Sequence, residues 1–456
     1  MEHDPLYRKR VVVLGFGRQG RALARWLPTV GASVVVSDMA HHDHFNGDLA
    51  PYTDVEFVLG GHPVSLLDDA DLLCISGGVS LGLPIVHEAV KRGIPLSNDA
   101  QLFLERSPAP VIGITGSAGK TTTTTLVGLM LERAGMKTWV GGNIGNVLLD
   151  SLNEIKPDDK VVMEFSSFQL EIMTTSPHIA AVLNVTPNHL DRHGTMTEYT
   201  RAKAQILLHQ SKDDIAILGR DDAGSRQLEM IVSGELGWFS GNEMVSDGAF
   251  LAGQRLLAVG VSSTDSLPHV VCDRGDIRLR GQHNVLNVLA ACAIAGAAGV
   301  SHDVMEQTIR EFTGVEHRLE VVRQVNDVTY VNDSIATAPE RVLAALRSYD
   351  EPLVLLAGGK DKNLPWDEML LLALQKSRHI VAFGHVGEQI AEKIRHLTGT
   401  DEHVTRVETL PEAVAIAAQV AQPGDVVLLS PGGTSYDAYI DFVERGEHFR
   451  QLVMAL

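Results

Sequence analysis

At 456 residues, with 45% hydrophobic and 21% charged side chains, the chain has the balance of a globular protein of roughly two to four domains. Its formal charge of −19, from 38 basic and 57 acidic residues, argues against a nucleic-acid partner, and no apolar run approaches the ~20 residues of a membrane span. Cys74, Cys272 and Cys292 stand singly without metal or redox spacing, and the charged N-terminus leads into no signal-peptide core, so a cytoplasmic protein with reduced thiols is expected.

The first predicted strand, 10–14, runs into Gly15-Phe16-Gly17-Arg18-Gln19-Gly20 and a helix, and a second strand, 33–37, ends at Asp38. This is a complete dinucleotide fingerprint, which alone predicts NAD. The glycines require less than that: a phosphate, or close backbone packing, at the first strand–helix turn. Both readings stay open on these residues. A strand over 71–75 ends in Ser76-Gly77-Gly78, small residues where α/β sheets bind ligands. A helix over 84–92 and a strand over 94–97 follow. His41-His42-Asp43-His44 reads as a solvated loop, and Ser107-Pro108-Ala109-Pro110 as a linker.

The second segment carries the strongest signal, ITGSAGKTTTTT from Ile114 to Thr125, between a short apolar strand and a helix. Gly116 and Gly119 let the loop curl so that N–H groups face phosphate oxygens. Lys120 brings a positive charge, and the Thr121 hydroxyl can hold Mg²⁺. The strict motif needs glycine at 114, so this is a shorter variant. A strand over 161–164 delivers Glu164, a carboxylate placed to hold Mg²⁺ directly or through one of the ion's other ligands. Asn143 follows another strand end, over 138–140. A buried strand over 179–185 precedes His189 and Asp191, and Lys203 lies on a helix over 196–209. The pattern from 221 to 280 is β-like and irregular, and a helix rich in alanine and glycine begins near Asn284 and Asn287, where capping competes with base contact.

In the third segment, strands over 328–331, 353–357, 379–383 and 426–429 alternate with helices, which implies a further parallel α/β domain. Its glycine-rich strand ends have no Lys-Thr pair and suit carboxylates better than triphosphates.

Eight runs together resemble the Mur ligase family: TGSAGKTTT (115–123), GGNIGN (141–146), EFSSFQLE (164–171), NVTPNHLDRHGTMTEYTRAK (184–203), GQHNVLN (281–287), HRLE (317–320), NDSIAT (332–337) and SPGGTSYDAYIDFVERG (430–446). The resemblance implies three α/β domains. A Rossmann-like N-terminal domain, 1–107, would take a UDP-sugar. A central phosphate-loop ATPase domain with a mostly parallel sheet, 108–314, would take ATP, and a C-terminal Rossmann-like domain, 315–456, an amino acid. It further implies a monomer that uses ATP and Mg²⁺ to add D-glutamate to UDP-N-acetylmuramoyl-L-alanine through an acyl phosphate, in peptidoglycan synthesis. The fingerprint would then cradle UDP through Phe16, Gly17, Arg18, Asp38 and Met39, with Ser76, Gly78 and Asn143 near the sugar. ATP would meet Gly116, Ser117, Ala118, Gly119, Lys120, Thr121, Thr122, Asn284, Asn287, Arg318 and Asp333. Metal would meet Thr121, Glu164, His189 and Lys203, the lysine as a carbamate, with Lys120, His189 and Lys203 catalytic. The amino acid would meet Thr337, Lys362, Ser435 and Phe442.

Two positions depart from the family pattern. Gly77 replaces a proline, and Ile335 replaces a lysine, which leaves L-glutamate as the alternative substrate. Two other classes remain on the residues alone: an NAD-dependent oxidoreductase, and a nucleotide switch whose outer domains bind partners.

Overall fold

Val11-Val12-Val13 and Val34-Val35-Val36 are buried at every position, as strands of a parallel sheet covered on both faces must be. In the computed structural model, the described residues (4–45, 48–260, 267–361 and 364–456) form three sheets. They separate into two compact units: Met1–Ile277 with Gln282–Phe312, and Arg278–Gly281 with Thr313–Leu456.

The first unit holds two of the sheets. In the first, β1 (Arg10–Leu14), β2 (Ser33–Asp38), β3 (Val55–Leu59), β4 (Leu72–Ile75) and β5 (Leu96–Ser97) run parallel in the order β3-β2-β1-β4-β5. The last strand is shorter than expected because Pro95 has no N–H to pair, although its carbonyl accepts from Leu73 at 3.0 Å. Among the described residues, β3, a 3₁₀ turn at Val64–Leu67 and a helix at Asp99–Leu104 lie outside the sequence expectation. Asn98 starts that helix by accepting the Gln101 N–H at 2.8 Å. The histidine run forms one 3₁₀ turn, His42–Phe45, and no group of three or more His, Cys, Asp or Glu suited to a metal occurs among the described residues.

The second sheet contains β6 (Val111–Thr115), β7 (Thr138–Gly142), β8 (Lys160–Glu164), β9 (Ile179–Val182), β10 (Ile215–Gly219), β11 (Glu235–Ser240), β12 (Gly248–Ala252), β13 (Arg255–Val259) and β14 (His269–Asp273). Their order is β14-β13-β12-β11-β10-β9-β6-β8-β7, parallel except where β13 meets β12 and β14. Among the described residues, the irregular stretch of the sequence thus contains four short strands beside short helical turns, with β12 and β13 joined through Gly253 (φ +62°). Strand β6 lies between β8 and β9, so the residues after all three emerge together. Strand β9 stops at Val182, short of the expected 185, because the next residues leave the ladder to bond the loop after β6.

One hydrophobic cluster, from Val11 and Leu23 through Phe103 and Leu148 to Val182, joins these two sheets. Polar clamps reinforce it: Arg25 grips Asp150 at 3.0 and 2.6 Å, and Asn98 donates to the Gln169 carbonyl at 2.8 Å.

The second unit is built on β15 (Glu320–Val325), β16 (Val328–Asn332), β17 (Leu353–Gly358), β18 (Ser377–Phe383), β19 (Val404–Arg406) and β20 (Val426–Gly432), ordered β15-β16-β20-β17-β18-β19. Only β15 is antiparallel. Strand β20 sits between β16 and β17, which again gathers three strand ends at one edge. The helix Leu410–Val420 has the expected early proline and a Thr409–Glu412 capping box. The three cysteines are free and buried, and no described helix is long and apolar enough to cross a membrane.

Candidate active site

The loop after β6 is built on a close approach that only glycine permits. Gly119 has φ +84°, and a Cβ there would stand 2.1 Å from Asn287 Oδ1. Asn287 is buried and donates to Asn284 Oδ1 at 3.0 Å, so both sequence candidates back the loop. Asn184 holds its other side, accepting the Ala118 N–H at 2.9 Å and donating to the Ala118 carbonyl at 3.1 Å. Ser117 Oγ donates to the Thr186 carbonyl at 2.9 Å and receives the Tyr199 hydroxyl at 3.1 Å. Lys120 opens the helix Lys120–Arg133 and folds its Nζ onto the Gly116 carbonyl at 2.8 Å. Thr121 donates to Glu164 Oε2 at 2.9 Å, while Asn143 donates to Glu164 Oε1 at 3.0 Å. Gly116 and Thr122 are buried within the loop and first helical turn.

Lys203 is 1% exposed. Its Nζ lies 3.4 Å from Thr115 Oγ1 and 4.7 Å from the centre of the Tyr199 ring. Burial, then the charge of Lys120, pulls its pKa well below the ordinary lysine value, with Glu164 opposing. His189 is exposed, in the left-handed region at φ +52°, with its ring 5.2 Å from that of Phe168. That backbone is uncommon for a non-glycine residue and turns the chain sharply where β9's extension ends.

A cleft of about 600 Å³ lies in the same unit, lined by Gly17, Arg18, Asp38, Met39, Ser76, Gly78 and Asn143 among others. Gln19, Ser166 and Phe168 also line it, from motifs in which no role was assigned to them, and so do His62 and Ser80, which lie in no motif. Asp38 folds back over the glycine turn, its two oxygens accepting the N–H of Phe16 at 2.6 Å and of Ala40 at 2.8 Å. Phe16 itself is the one expected cleft residue whose side chain turns away, buried edge-on against Phe45, Tyr52 and Phe57. Arg18 spends its fork on the carbonyls of Gly145 at 2.8 Å and Asn143 at 2.6 Å. Asn143 therefore links the cleft wall to the Glu164 pair.

In the second unit, Asp333 follows β16 and is buried. Its oxygens accept from Ser430 Oγ at 2.8 Å and the Leu319 N–H at 3.2 Å, and burial raises its pKa to about 7 against the pull of Ser430 and Arg318. Thr337 lies in the turn after it, Ser435 is buried in the loop after β20, and the Phe442 ring meets His317 edge-on at 6.2 Å. Lys362 lies outside the described residues. Ile335 is half-buried, and its carbonyl accepts from Arg341 at 3.2 Å.

Residues 9–98 match the Mur ligase MurD-like N-terminal domain, 114–295 the Mur ligase middle domain, and 317–433 the Mur ligase glutamate ligase domain. The chain is 41% identical over 452 residues to UDP-N-acetylmuramoylalanine–D-glutamate ligase of Pelotomaculum thermopropionicum, covering 98% of both chains. The chain belongs to the Mur ligase family. It is also 40% identical over 454 residues to the Symbiobacterium thermophilum protein of the same name, again covering 98% of each. Its fold is similar to that of UDP-N-acetylmuramate–alanine ligase from Thermotoga maritima, with a TM-score of 0.56 at 21% identity, covering 98% of this chain and 99% of that one. The sheets are those of a three-domain Mur ligase: parallel, mixed, and mostly parallel.

Within this Mur ligase, several contacts had no sequence assignment. Asn184 and Tyr199 both brace the loop from within the run 184–203, and Tyr199 precedes Lys203 by four residues. That is the spacing that puts two helical side chains on one face, a signal the sequence does carry. Arg192 lies over the Phe168 ring at 4.6 Å and donates to the Val79 carbonyl at 3.2 Å, a contact 113 positions apart that no local pattern announces.

Proposed function

We propose that this chain is an ATP-dependent ligase that joins D-glutamate to UDP-N-acetylmuramoyl-L-alanine in peptidoglycan precursor synthesis, acting as a monomer in the cytoplasm. The observation that carries the reading is the convergence of the phosphate loop, the Thr121–Glu164 pair and buried Lys203 at one sheet edge. The unit that holds them also has a cleft walled by the Gly15–Gly20 turn. The domain division at 1–107, 108–314 and 315–456 belongs to this proposal.

ATP phosphorylates the substrate carboxylate, the amine of glutamate attacks the acyl phosphate, and phosphate leaves. Such a transfer needs positioning and charge stabilisation more than covalent chemistry. Lys120 neutralises the transferring group, and the loop N–H groups hold the nucleotide, with Asn287 and Asn284 behind them.

The residues fit Mg²⁺. The Thr121 hydroxyl and Glu164 carboxylate are hard oxygen donors already 2.9 Å apart. His189 and Lys203 would serve a second ion, which supplies charge neutralisation when bound. An ammonium would repel that ion, so Lys203 fits as a carbamate. Its burial favours the neutral amine that reacts with carbon dioxide. In the second unit, Thr337, Lys362, Ser435 and Phe442 take the amino acid, and Arg318 and Asp333 are nucleotide contacts by resemblance.

Phosphate release in the presence of ATP, Mg²⁺, UDP-N-acetylmuramoyl-L-alanine and either D- or L-glutamate tests the reading. Release with the D form alone is expected. A preference for the L form overturns the stereochemistry, and no release with any amino acid overturns the ligase.

A further inference from the structure

The final helix, Phe442–Met454, carries Arg445 in its first turns, and that guanidinium is fully buried. A buried cation is costly unless its donors are matched, and the usual match is a carboxylate. Here the acceptors are neutral. Nε donates to Ser334 Oγ at 3.0 Å, Nη2 to the Ser334 carbonyl at 2.9 Å and Nη1 to the Gly433 carbonyl at 3.2 Å. Asp437 and Tyr439 act on it through space, and burial lowers its pKa only to about 10, so the charge persists at neutral pH.

These acceptors belong to the turn after β16 and the loop after β20. Ser334 Oγ donates onward to the Phe442 carbonyl at 2.8 Å, closing the ring back to the helix. Gly359, after β17, completes the enclosure: a Cβ there would stand 3.0 Å from Arg445 Nη1 and 2.2 Å from the Thr434 carbonyl. All three strand ends at this edge thus close around one positive charge.

We propose that Arg445 is the positioning residue of the amino-acid pocket. It holds the turn at Ser334 and the loop at Gly433 in register and biases both toward a dicarboxylate through a charge whose hydrogen-bond acceptors are all neutral. This rests on the glutamate reading of the pocket. The loop's own N–H and hydroxyl groups contact the ligand, while Arg445 acts through them.

The test compares Arg445→Met and Arg445→Lys with wild type in the full chain, measuring KM for D-glutamate, ATP and UDP-N-acetylmuramoyl-L-alanine. Arg445→Met should raise KM for glutamate at least about tenfold while the other two stay within about twofold, a loss confined to one substrate. Arg445→Lys should recover part of that loss because it restores charge without the fork. If Arg445→Met does not fold, Arg445→Lys and Ser334→Ala decide by the same ratio of KM values. An unchanged KM for glutamate in a folded variant, or equal rises for all three substrates, overturns the inference. Wild type that is inactive with D-glutamate overturns the underlying reading, and this inference with it.

Discussion

Two glycine loops in this molecule deliver positive charge in opposite ways. The loop after β6 keeps its cation, Lys120, half-buried on a flexible stem, resting on the Gly116 carbonyl. The loop after β20 has its cation, Arg445, fixed beneath it by one hydrogen bond to Gly433 and two to Ser334 in the neighbouring turn. Both loops need glycine in the left-handed region, at Gly119 (φ +84°) and Gly432 (φ +74°). The difference matches the cargo proposed for each loop. A phosphoryl group moves during transfer and needs a charge that follows it, whereas an amino acid must be held still for attack.

The strongest way to break this comparison is to remove the mobile charge. Lys120→Ala should lower kcat by about 10³-fold, because the interaction strengthens as charge develops on the phosphoryl group. Thermal unfolding should barely change, since Asn184 holds the loop through both polar groups of Ala118 and Asn287 packs behind Gly119. A folded variant with near-normal turnover would remove the central assignment.

Lys203→Ala should come next, with about a 10²-fold loss in turnover at limiting Mg²⁺. Small carboxylates such as acetate, placed in the space vacated beside Thr115 and Tyr199, should restore part of it. Undiminished activity at limiting Mg²⁺ would end the carbamate role and leave Lys203 as a buried structural amine.

What the sequence shows of all this follows from how local each feature is. The phosphate loop, its strand and its helix are contiguous, so their spacing predicts them, and Glu164 is found because it ends a clear strand. The order of motifs carries the family. The fate of Phe16 was not readable, because a fingerprint does not say which side chain the turn buries. Asp38 shows why: a carboxylate at the right distance for a ribose is used here to cap backbone N–H groups. Arg445 lies in a quoted motif, yet its partners are 111 and 12 positions away, and only the sheet order β16-β20-β17 brings them together.

The fixed loop can be sharpened sterically. Gly359→Ala places a Cβ 2.2 Å from the Thr434 carbonyl at a backbone of φ +97°, so stability should fall by about 2 kcal/mol. If the enclosure around Arg445 matters to binding, KM for glutamate rises while KM for ATP does not. Equal changes in both would mean that the loop is scaffolding only.

The smallest expected effect concerns Arg341, whose guanidinium reaches the Ile335 carbonyl and draws on Asp333 from a distance. Burial is the largest influence on Asp333 and raises its pKa to about 7, far above the ordinary carboxylate value of 3.8. The folded state therefore holds this proton more tightly than the unfolded chain does. Asp333's contribution to stability is full below about pH 4, declines as pH rises toward 7, and is level beyond that. Arg341 favours the ionised form, so it offsets part of that decline only where Asp333 is ionised. Arg341→Ala should then lower stability by about 0.5 kcal/mol at pH 8.5, a value kept small because the arginine is exposed. At pH 5.5, where folded Asp333 is mostly protonated, the gap should nearly vanish. Urea unfolding at the two pH values measures it, and a gap of equal size at both would show that Arg341 acts through its hydrogen bond to Ile335 and not through Asp333.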